Sequence, residues 1–303
     1  MSATGTVIGV FRGGCEVVHG DALRELKLVG RHAHQGVMLA VGDDVSFDPD
    51  KGIVLEVAER RSLLSRLRPN RGGRMRTSHG SGEEKVIAAN MDRVAIVVAV
   101  ERPPFRAGAV DRFMLAAAVG GLEALLVVNK IDLLEGAPLP DEIAQYADLL
   151  PLCAVSARAG IGLDALQAHL RGSRTVMAGH SGVGKSSLIN ALQPELRLET
   201  GTLRRGDQRG RHTTSRATWL RLQGDAVVVD TPGVREITTG PVDPALIDQV
   251  YPDVAALAQG CRFRDCRHRQ EPDCAVGAAI SAGELAPARL ASFKKLLQDI
   301  EPT

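Results

Sequence analysis

The stretch GHSGVGKS, Gly179–Ser186, decides the fold of this chain. It matches the pattern G-x-x-x-x-G-K-[ST], follows the apolar run RTVMA and precedes the helical pattern KSSLINAL. A strand, a glycine-rich loop and a helix in this order are typical of a phosphate-binding loop (P-loop), whose backbone N–H groups point at a phosphate. A fortuitous glycine-rich turn would not need the flanking strand and helix, so we interpret the stretch as a nucleotide site.

The residue types in this loop suit a nucleoside triphosphate with Mg²⁺. Lys185 supplies a positive charge between the β- and γ-phosphates, and Ser186 offers a hydroxyl ligand to Mg²⁺. The predicted phosphate-binding residues are Gly179, His180, Ser181, Gly182, Val183, Gly184, Lys185, Ser186 and Ser187.

A second motif, VVNKIDLL at 127–134, predicts that the base is guanine. Guanine presents N1–H and an exocyclic amine side by side, and the carboxylate of Asp132 accepts both hydrogen bonds. Adenine would leave that carboxylate unpaired in a buried site. Lys130 covers the base with its aliphatic stem, Asn129 ties this loop to the P-loop, and Ser156 and Ala157 supply backbone for guanine O6.

A third motif, DTPG at 230–233, follows the apolar run AVVV. Asp230 ends a predicted strand, where a carboxylate can hold the hydration shell of Mg²⁺, and the Gly233 N–H can meet the γ-phosphate. Along the chain the base-reading loop (127–134) comes first, followed by the SA loop (Ser156 and Ala157) and the P-loop (179–186). Switch I (GRHTTS, 210–215) and switch II (just after Gly233) come last. We therefore predict a GTPase domain whose chain is circularly permuted, with its site intact in space.

The position after the switch II glycine is Val234, which cannot orient an attacking water molecule as a glutamine does. One interpretation is a GTP-dependent binding protein that hydrolyses GTP slowly. The other is that the switch I segment GRHTTS supplies the missing group through His212, although such a histidine could also contact phosphate. Thr214, or alternatively Thr213, would donate a hydroxyl ligand to Mg²⁺.

Near the C-terminal end, four residues follow the spacing C-x₄-C-x-H-x₅-C: Cys261, Cys266, His268 and Cys274. Three thiolates and one imidazole complete a closed tetrahedral zinc site, which leaves no open position for catalysis, so we predict one structural Zn²⁺. Arginines at 262, 264, 267 and 269 indicate that this module contacts RNA.

The totals describe an ordinary globular protein of 303 residues with a formal net charge of +1. Two segments are nevertheless basic: residues 61–85 and 197–221 each hold seven Arg or Lys against two acidic residues. They favour a polyanionic partner over two merely solvated loops. No apolar run approaches the ~20 residues of a membrane span, and the isolated Cys15 and Cys153 suit buried thiols of an intracellular protein.

The chain divides into three predicted domains. Residues 1–62 carry short alternating runs that predict an OB-fold-like β-barrel, with an SH3-like barrel as the alternative. Residues 63–240 form the α/β GTPase domain. Its first part, over 62–90, is predicted to be a long flexible connection, and a doubly wound parallel sheet follows. Residues 241–303 form a helical zinc-binding domain.

The motifs IAANMDRVAIVVAV, NKID, GHSGVGKSSLINAL, GRHTTS, DTPGV and GCRFRDCRHRQEPDCAV span essentially the whole chain. In this order, and with their flanking modules, they resemble the ribosome small subunit-dependent GTPase A family (RsgA/YjeQ). The resemblance implies a bacterial cytoplasmic GTPase that acts in late maturation of the 30S subunit.

The resemblance also points to His212 as the substitute for glutamine, with Lys185 and Thr214 completing the predicted catalytic set. The implied cofactors are GTP or GDP, Mg²⁺ and Zn²⁺, and the implied partners are the 30S subunit and its 16S rRNA. We expect a monomer with no membrane partner and 30S-stimulated turnover. The alternative is a GTP-dependent RNA-binding scaffold with negligible hydrolysis.

Overall fold

The computed structural model describes residues 2–29, 38–67, 84–196, 217–231, 237 and 242–300. These residues form a β-barrel, a two-stranded hairpin, a six-stranded sheet with its helices, and a C-terminal group of helices. None of the described helices has both the length and the apolar character that crossing a bilayer requires.

The N-terminal barrel is closed by five strands in the order β1-β2-β3-β5-β4. The strands are β1 (Ala3–Phe11), β2 (Gly14–His19), β3 (Ala22–Lys27), β4 (Asp44–Asp48) and β5 (Ile53–Val57). Strand β3 pairs with β5 in parallel, while the other pairs are antiparallel. This order is that of an OB-fold, so the predicted OB-like barrel is confirmed.

Side chains along the barrel strands alternate between buried and exposed, and the buried ones form the barrel core. In β2, Cys15 and Val17 are buried while Glu16 between them is exposed, which follows from the two-residue period of a strand. Burial raises the pKa of the Cys15 thiol to about 11. One of the short runs that predicted the barrel, GVMLAV at 36–41, forms no strand over its described residues 38–41: Val41 makes only an isolated bridge with Ala88.

The prediction of a flexible connection over 62–90 is wrong for both parts that the structure describes, residues 62–67 and 84–90. Strands β6 (Leu63–Leu67) and β7 (Glu84–Ala89) pair as an antiparallel hairpin. The physical reason is tertiary packing: Leu64 and Ala88 are completely buried in the main core. Each flank is too short for apolar periodicity to show in the arginine- and glycine-rich context.

The central sheet has the order β10-β9-β8-β11-β13-β12. Its strands are β8 (Arg93–Ala99), β9 (Glu123–Asn129), β10 (Leu152–Ala154), β11 (Arg174–Ala178), β12 (Thr218–Leu222) and β13 (Ala226–Asp230). Five strands run parallel, as predicted, and their apolar runs are buried between helices. The sixth strand, β12, is an antiparallel edge strand that the sequence analysis did not identify.

Helices cover the sheet and build the C-terminal region. They are α1 (Ala107–Val119), α2 (Asp141–Ala144), α3 (Leu163–Leu170), α4 (Lys185–Leu192), α5 (Pro244–Val250), α6 (Pro252–Ala258), α7 (Ala275–Ala282) and α8 (Pro287–Ile300). The Asp243 carboxylate caps α5 by accepting a 3.0 Å hydrogen bond from Ala245 N, and Pro244 occupies the first turn. The domain boundaries at 62 and 240 stay a prediction.

A buried ion cluster attaches α8 to the sheet domain. The Arg289 guanidinium, 4% exposed, lies 3.3 Å from the carboxylate of Asp111 on α1 and 3.0 Å from that of Asp253 on α6. It also covers the ring of Tyr251 at 4.0 Å, while the Tyr146 hydroxyl donates to Asp111 at 2.8 Å. Although burial works against its charge, the bonds to Asp253 raise the pKa of Arg289.

Replacing Arg289 with Met should therefore lower the free energy of unfolding by about 3–5 kcal/mol, because the substitution leaves the Asp111 carboxylate buried without its cation. Urea unfolding followed by circular dichroism measures the loss. The double variant Arg289→Met/Asp111→Asn should recover part of it. Arg262→Met, which breaks the exposed pair with Asp273, is the control and should cost less than about 1 kcal/mol. Equal losses for Arg289→Met and Arg262→Met would contradict a buried ion cluster.

Candidate nucleotide site and metal cluster

The predicted nucleotide motifs meet at one edge of the sheet. Strands β9, β11 and β13 are parallel to β8, so the residues that follow their carboxyl ends lie side by side. Asn129 ends β9, Gly179 follows β11, and Asp230 ends β13. The loop after β10 brings Ser156 and Ala157 to the same edge.

The P-loop has a backbone that only glycine permits at two positions. Gly179 has φ +142°, and a Cβ there would lie 2.2 Å from the Val97 carbonyl oxygen. Gly184 has φ +100°, and its Cβ would lie 2.3 Å from Asn129 Nδ2. The Lys185 ammonium donates to the carbonyls of Gly179 at 2.6 Å and His180 at 3.1 Å, which holds it across the loop.

The buried amide of Asn129 joins three loops. Its Nδ2 donates to the Val183 carbonyl in the P-loop at 2.9 Å. Its Oδ1 accepts hydrogen bonds from the backbone N–H of Lys130 at 2.8 Å and of Ala157 at 3.1 Å. The base-reading, SA and phosphate-binding loops are thereby held in one geometry.

Asp132 is oriented by a neighbour that the sequence analysis used differently. The Ser156 hydroxyl donates to Asp132 Oδ1 at 2.6 Å and accepts from Ala159 N at 3.0 Å. Only the backbone of Ser156 was assigned a role from sequence, although a serine facing a carboxylate is an obvious donor. Beside Asp132 lies an open, mainly apolar cleft lined by Ile131, Leu134 and Ile161, among others.

The segment ERPPF at 101–105 was missed by the sequence analysis. The Lys130 ammonium donates to the Arg102 carbonyl, and Pro103 lies 3.7 Å from where a Cβ on Gly182 would be. Burial lowers the pKa of Lys130. Two successive prolines, Pro103 and Pro104, soon after a buried strand mark a stiff turn at the site edge, which the sequence could have indicated.

Asp230 is 7% exposed at the end of β13. The next residue, Thr231, is also buried and donates to the Met177 carbonyl at 2.8 Å, an anchor that the sequence analysis did not identify. The predicted residues Gly233, His212 and Thr214, together with Thr213 and Val234, lie outside the described residues.

The four predicted zinc ligands form a second site. One ligand atom from each of Cys261, Cys266, His268 and Cys274 lies within 4.8 Å of all the others. His268 Nδ1 is 3.6 Å from Cys261 Sγ and 3.5 Å from Cys274 Sγ, and the two sulfurs are 3.9 Å apart. A soft tetrahedral ion such as Zn²⁺ suits this set.

The surroundings of the cluster act differently on its ligands: they favour the metal-binding forms of Cys261 and His268, whereas burial raises the pKa of the Cys266 thiol to about 11. Burial opposes a thiolate at Cys261, but backbone N–H groups of Val276 and Ala275 outweigh it and lower the pKa. Gly277 N donates to Cys274 Sγ at 3.4 Å, so the start of α7 faces two sulfurs. Burial lowers the pKa of His268, which keeps the imidazole neutral for coordination.

Glu271 organises the loop between the last two ligands. Its carboxylate accepts hydrogen bonds from the backbone N–H of Arg267 at 2.9 Å, Arg269 at 2.6 Å and Gln270 at 3.0 Å. Together with its own N–H, these donors lower the pKa of Glu271 to about 2. The Glu271 carboxylate therefore holds the backbone on both sides of His268.

A family model described as RsgA GTPase matches residues 57–240. The chain belongs to the RsgA GTPase family. Proteins named "Small ribosomal subunit biogenesis GTPase RsgA" are similar to it over most of its length. That of Chlorobaculum parvum is 36% identical over 272 residues, which are 87% of this chain and 86% of the relative. That of Streptomyces avermitilis is 38% identical over 305 residues, covering 97% of this chain and 79% of the relative.

Solved structures agree with this family. The crystal structure of YjeQ from Thermotoga maritima superposes with a TM-score of 0.72 at 29% identity, covering 99% of both chains. YloQ, described as a circularly permuted GTPase, gives a TM-score of 0.66 at 25% identity and covers 99% of this chain and 95% of its own. The chain is a P-loop GTPase, as predicted, and its motif order is the permuted one.

The geometry around Asp132 leads to a prediction on nucleotide choice. Asp132→Asn should weaken GTP binding and shift preference toward xanthosine triphosphate, because the C2 carbonyl of xanthine suits an amide donor. Competition of both nucleotides against a fluorescent GDP analogue measures this preference. Ser156→Ala, which removes the hydroxyl bonded to Asp132, should weaken guanine binding without changing the preferred base. Unchanged guanine selectivity in Asp132→Asn would contradict the assignment.

Proposed function

We propose that this GTPase binds the 30S ribosomal subunit through 16S rRNA and hydrolyses GTP during late subunit maturation, with turnover stimulated by the subunit. The observation that carries the GTPase part is the Asn129 amide, which joins the base-reading, SA and phosphate-binding loops in one site. The small-subunit role rests on the names of relatives that are similar over most of this chain.

Each described residue has a proposed role in holding GTP. Asp132 accepts both guanine donors, with Ser156 fixing its orientation at 2.6 Å, and the Lys130 stem covers the base. The SA loop, in which Ala157 N–H donates to Asn129 Oδ1, is proposed to supply backbone for guanine O6. When phosphate enters, the Lys185 ammonium exchanges its two loop carbonyls for phosphate oxygens.

Mg²⁺ would be held by the hydroxyls of Ser186 and Thr214, with Asp230 contacting its water shell. The buried position of Asp230 beside the P-loop strand supports this arrangement, since β13 pairs directly with β11. When bound, Mg²⁺ neutralises charge that develops on the phosphate oxygens. Gly233 N–H is proposed to meet the γ-phosphate.

We assign water positioning to His212, because Val234 has no polar atom for that task. Both residues lie outside the described part, so the support comes from the sequence motif. A histidine near neutral pH can accept a proton or hold a water molecule by one hydrogen bond. RNA binding is assigned to the basic segments 61–85 and 197–221 and to the metal-site arginines, and the protein acts as a cytoplasmic monomer.

Single-turnover hydrolysis with and without 30S subunits tests the proposal. The subunit should accelerate GTP cleavage, and His212→Ala should lower the stimulated rate by roughly 10²-fold or more with GTP affinity unchanged. His169→Ala, at the C-terminal end of α3, is the matched histidine control and should leave the rate unchanged. Absence of stimulation in the wild type would favour the alternative of an RNA-binding scaffold that holds GTP with negligible hydrolysis.

The metal cluster gives a separate prediction. Cys266→Ala, or removal of zinc by a chelator, should abolish 30S-stimulated hydrolysis, because residues 261–274 contain no helix or strand and the conformation of this loop depends on the ion. GTP affinity should survive, since Lys185, Asp132 and Asp230 lie in the sheet domain. Cys153→Ala, a buried thiol of strand β10, is the control for cysteine loss. Nucleotide affinity and stimulated turnover are measured on each variant.

Two outcomes would contradict the proposal that the metal module acts in the response to the 30S subunit while the sheet domain alone binds the nucleotide. If nucleotide affinity and turnover fall together in Cys266→Ala, the metal module is a structural support for the GTPase domain. If neither falls, the module has no part in the response to the subunit.

A further inference from the structure

The aromatic ring of Phe263 is exposed on the surface of this chain. The sequence has only six Phe, two Tyr and one Trp. All nine lie in the described part, and eight are buried or half-buried. Phe263 is 43% exposed, and it lies between the metal ligands Cys261 and Cys266. A single exposed aromatic is common by itself, so its setting decides what it means.

The metal loop holds Phe263 in a fixed position. Cys266 N donates to the Phe263 carbonyl at 3.2 Å, which closes a tight turn immediately beside the ring. Arg262 N donates to the Asp273 carbonyl at 3.4 Å, which ties the preceding residue to the second half of the loop. A ring on such a backbone loses little further conformational freedom when it binds a partner.

One arginine lies against this ring, and three more belong to the same loop. The Arg262 guanidinium carbon lies 5.5 Å from the ring centroid, and its side chain is held by Asp273 at 3.0 Å. Arg264, Arg267 and Arg269 are exposed in the same loop. Two of the three carboxylates nearby are already engaged, since Asp273 pairs with Arg262 and Glu271 accepts from the loop backbone. The loop from residue 261 to residue 274 therefore carries more positive than negative charge, four arginines against three carboxylates.

A flat apolar ring among arginines matches the chemistry of an unpaired nucleotide. The base would stack on the ring, and the flanking phosphates would meet the guanidinium groups. A protein partner would need a wider apolar patch than one side chain flanked by arginines. We propose that Phe263 stacks on an unpaired base of the ribosomal RNA, an inference that rests on the proposed function.

Binding to 30S subunits and to a single-stranded RNA oligonucleotide tests the stacking. Phe263→Ala should weaken 30S binding roughly 5- to 100-fold, the range for removing one stacking ring. Phe263→Trp should bind as well as the wild type, and Phe263→Leu should bind as weakly as Phe263→Ala. Zinc content and thermal unfolding of each variant verify that the exposed substitution leaves the metal loop intact.

The salt dependence of the binding constant separates stacking from charge. Phe263→Ala should leave the slope of log K against log salt unchanged. The matched control Arg264→Ala, next in sequence, should reduce that slope by about 1 because it removes one phosphate contact. Full affinity in Phe263→Leu would overturn stacking in favour of a general apolar contact, and a reduced slope in Phe263→Ala would overturn it in favour of an effect on the phosphate contacts.

Fluorescence gives a direct readout, because Trp219 is the single tryptophan of the chain. In Trp219→Phe/Phe263→Trp, the new indole should be quenched when 30S subunits or RNA are added. An unquenched indole in a bound complex would overturn the proposal. Failure of the wild type to bind 30S subunits would instead refute the proposed function, so the two failures are distinguishable.

Discussion

The side-chain amide of Asn129 is the interaction on which the nucleotide site depends. The permuted chain places the base-reading, SA and phosphate-binding loops at separate points along the sequence, and one amide bonds to all three. Because this amide is buried, removing it would leave polar backbone groups without partners, at about 1–3 kcal/mol for each. The close fit of Gly184 against Asn129 Nδ2 shows that the P-loop backbone is shaped around the same group. The order of the loops along the chain is permuted, but the Asn129 hydrogen bonds still hold them together.

Much of this architecture was predictable because the motifs carry chemistry at fixed spacing. GHSGVGKS, NKID and the C-x₄-C-x-H-x₅-C pattern each need particular residue types close together in sequence, so a short window contains the information. The parallel strands were equally visible as apolar runs. The hairpin β6–β7 and the edge strand β12 were not, because their apolar residues are few and their burial depends on distant elements. The hydroxyl contact of Ser156 was also missed, because the motif indicates only its backbone and the orientation of its side chain toward Asp132, 24 residues away, depends on how the two loops pack.

The metal module and the sheet domain form one continuous packing unit. The ring of His268 packs on Phe293 at 5.8 Å, and Phe293 packs edge-on against Tyr251 at 5.2 Å. Tyr251 lies under Arg289, whose charge is shared between Asp111 and Asp253. No sequence pattern indicated this series of contacts, because each member looks like an ordinary core or surface residue in its own segment. Burial of a charged side chain is decided by tertiary partners, which a single sequence does not reveal.

The pairing of Arg289 with Asp111 also has a consequence for synthesis. The two residues are 178 positions apart, and the ribosome makes α1 long before α8. Until α8 emerges, the α1 helix carries a carboxylate destined for burial and lacks the cation that makes burial favourable. A nascent chain can assemble the strands of its sheet while the Asp111 carboxylate still lacks the Arg289 cation. We therefore expect the central domain to reach its full stability only after translation of α8, and a chain interrupted before α8 to be more susceptible to proteolysis.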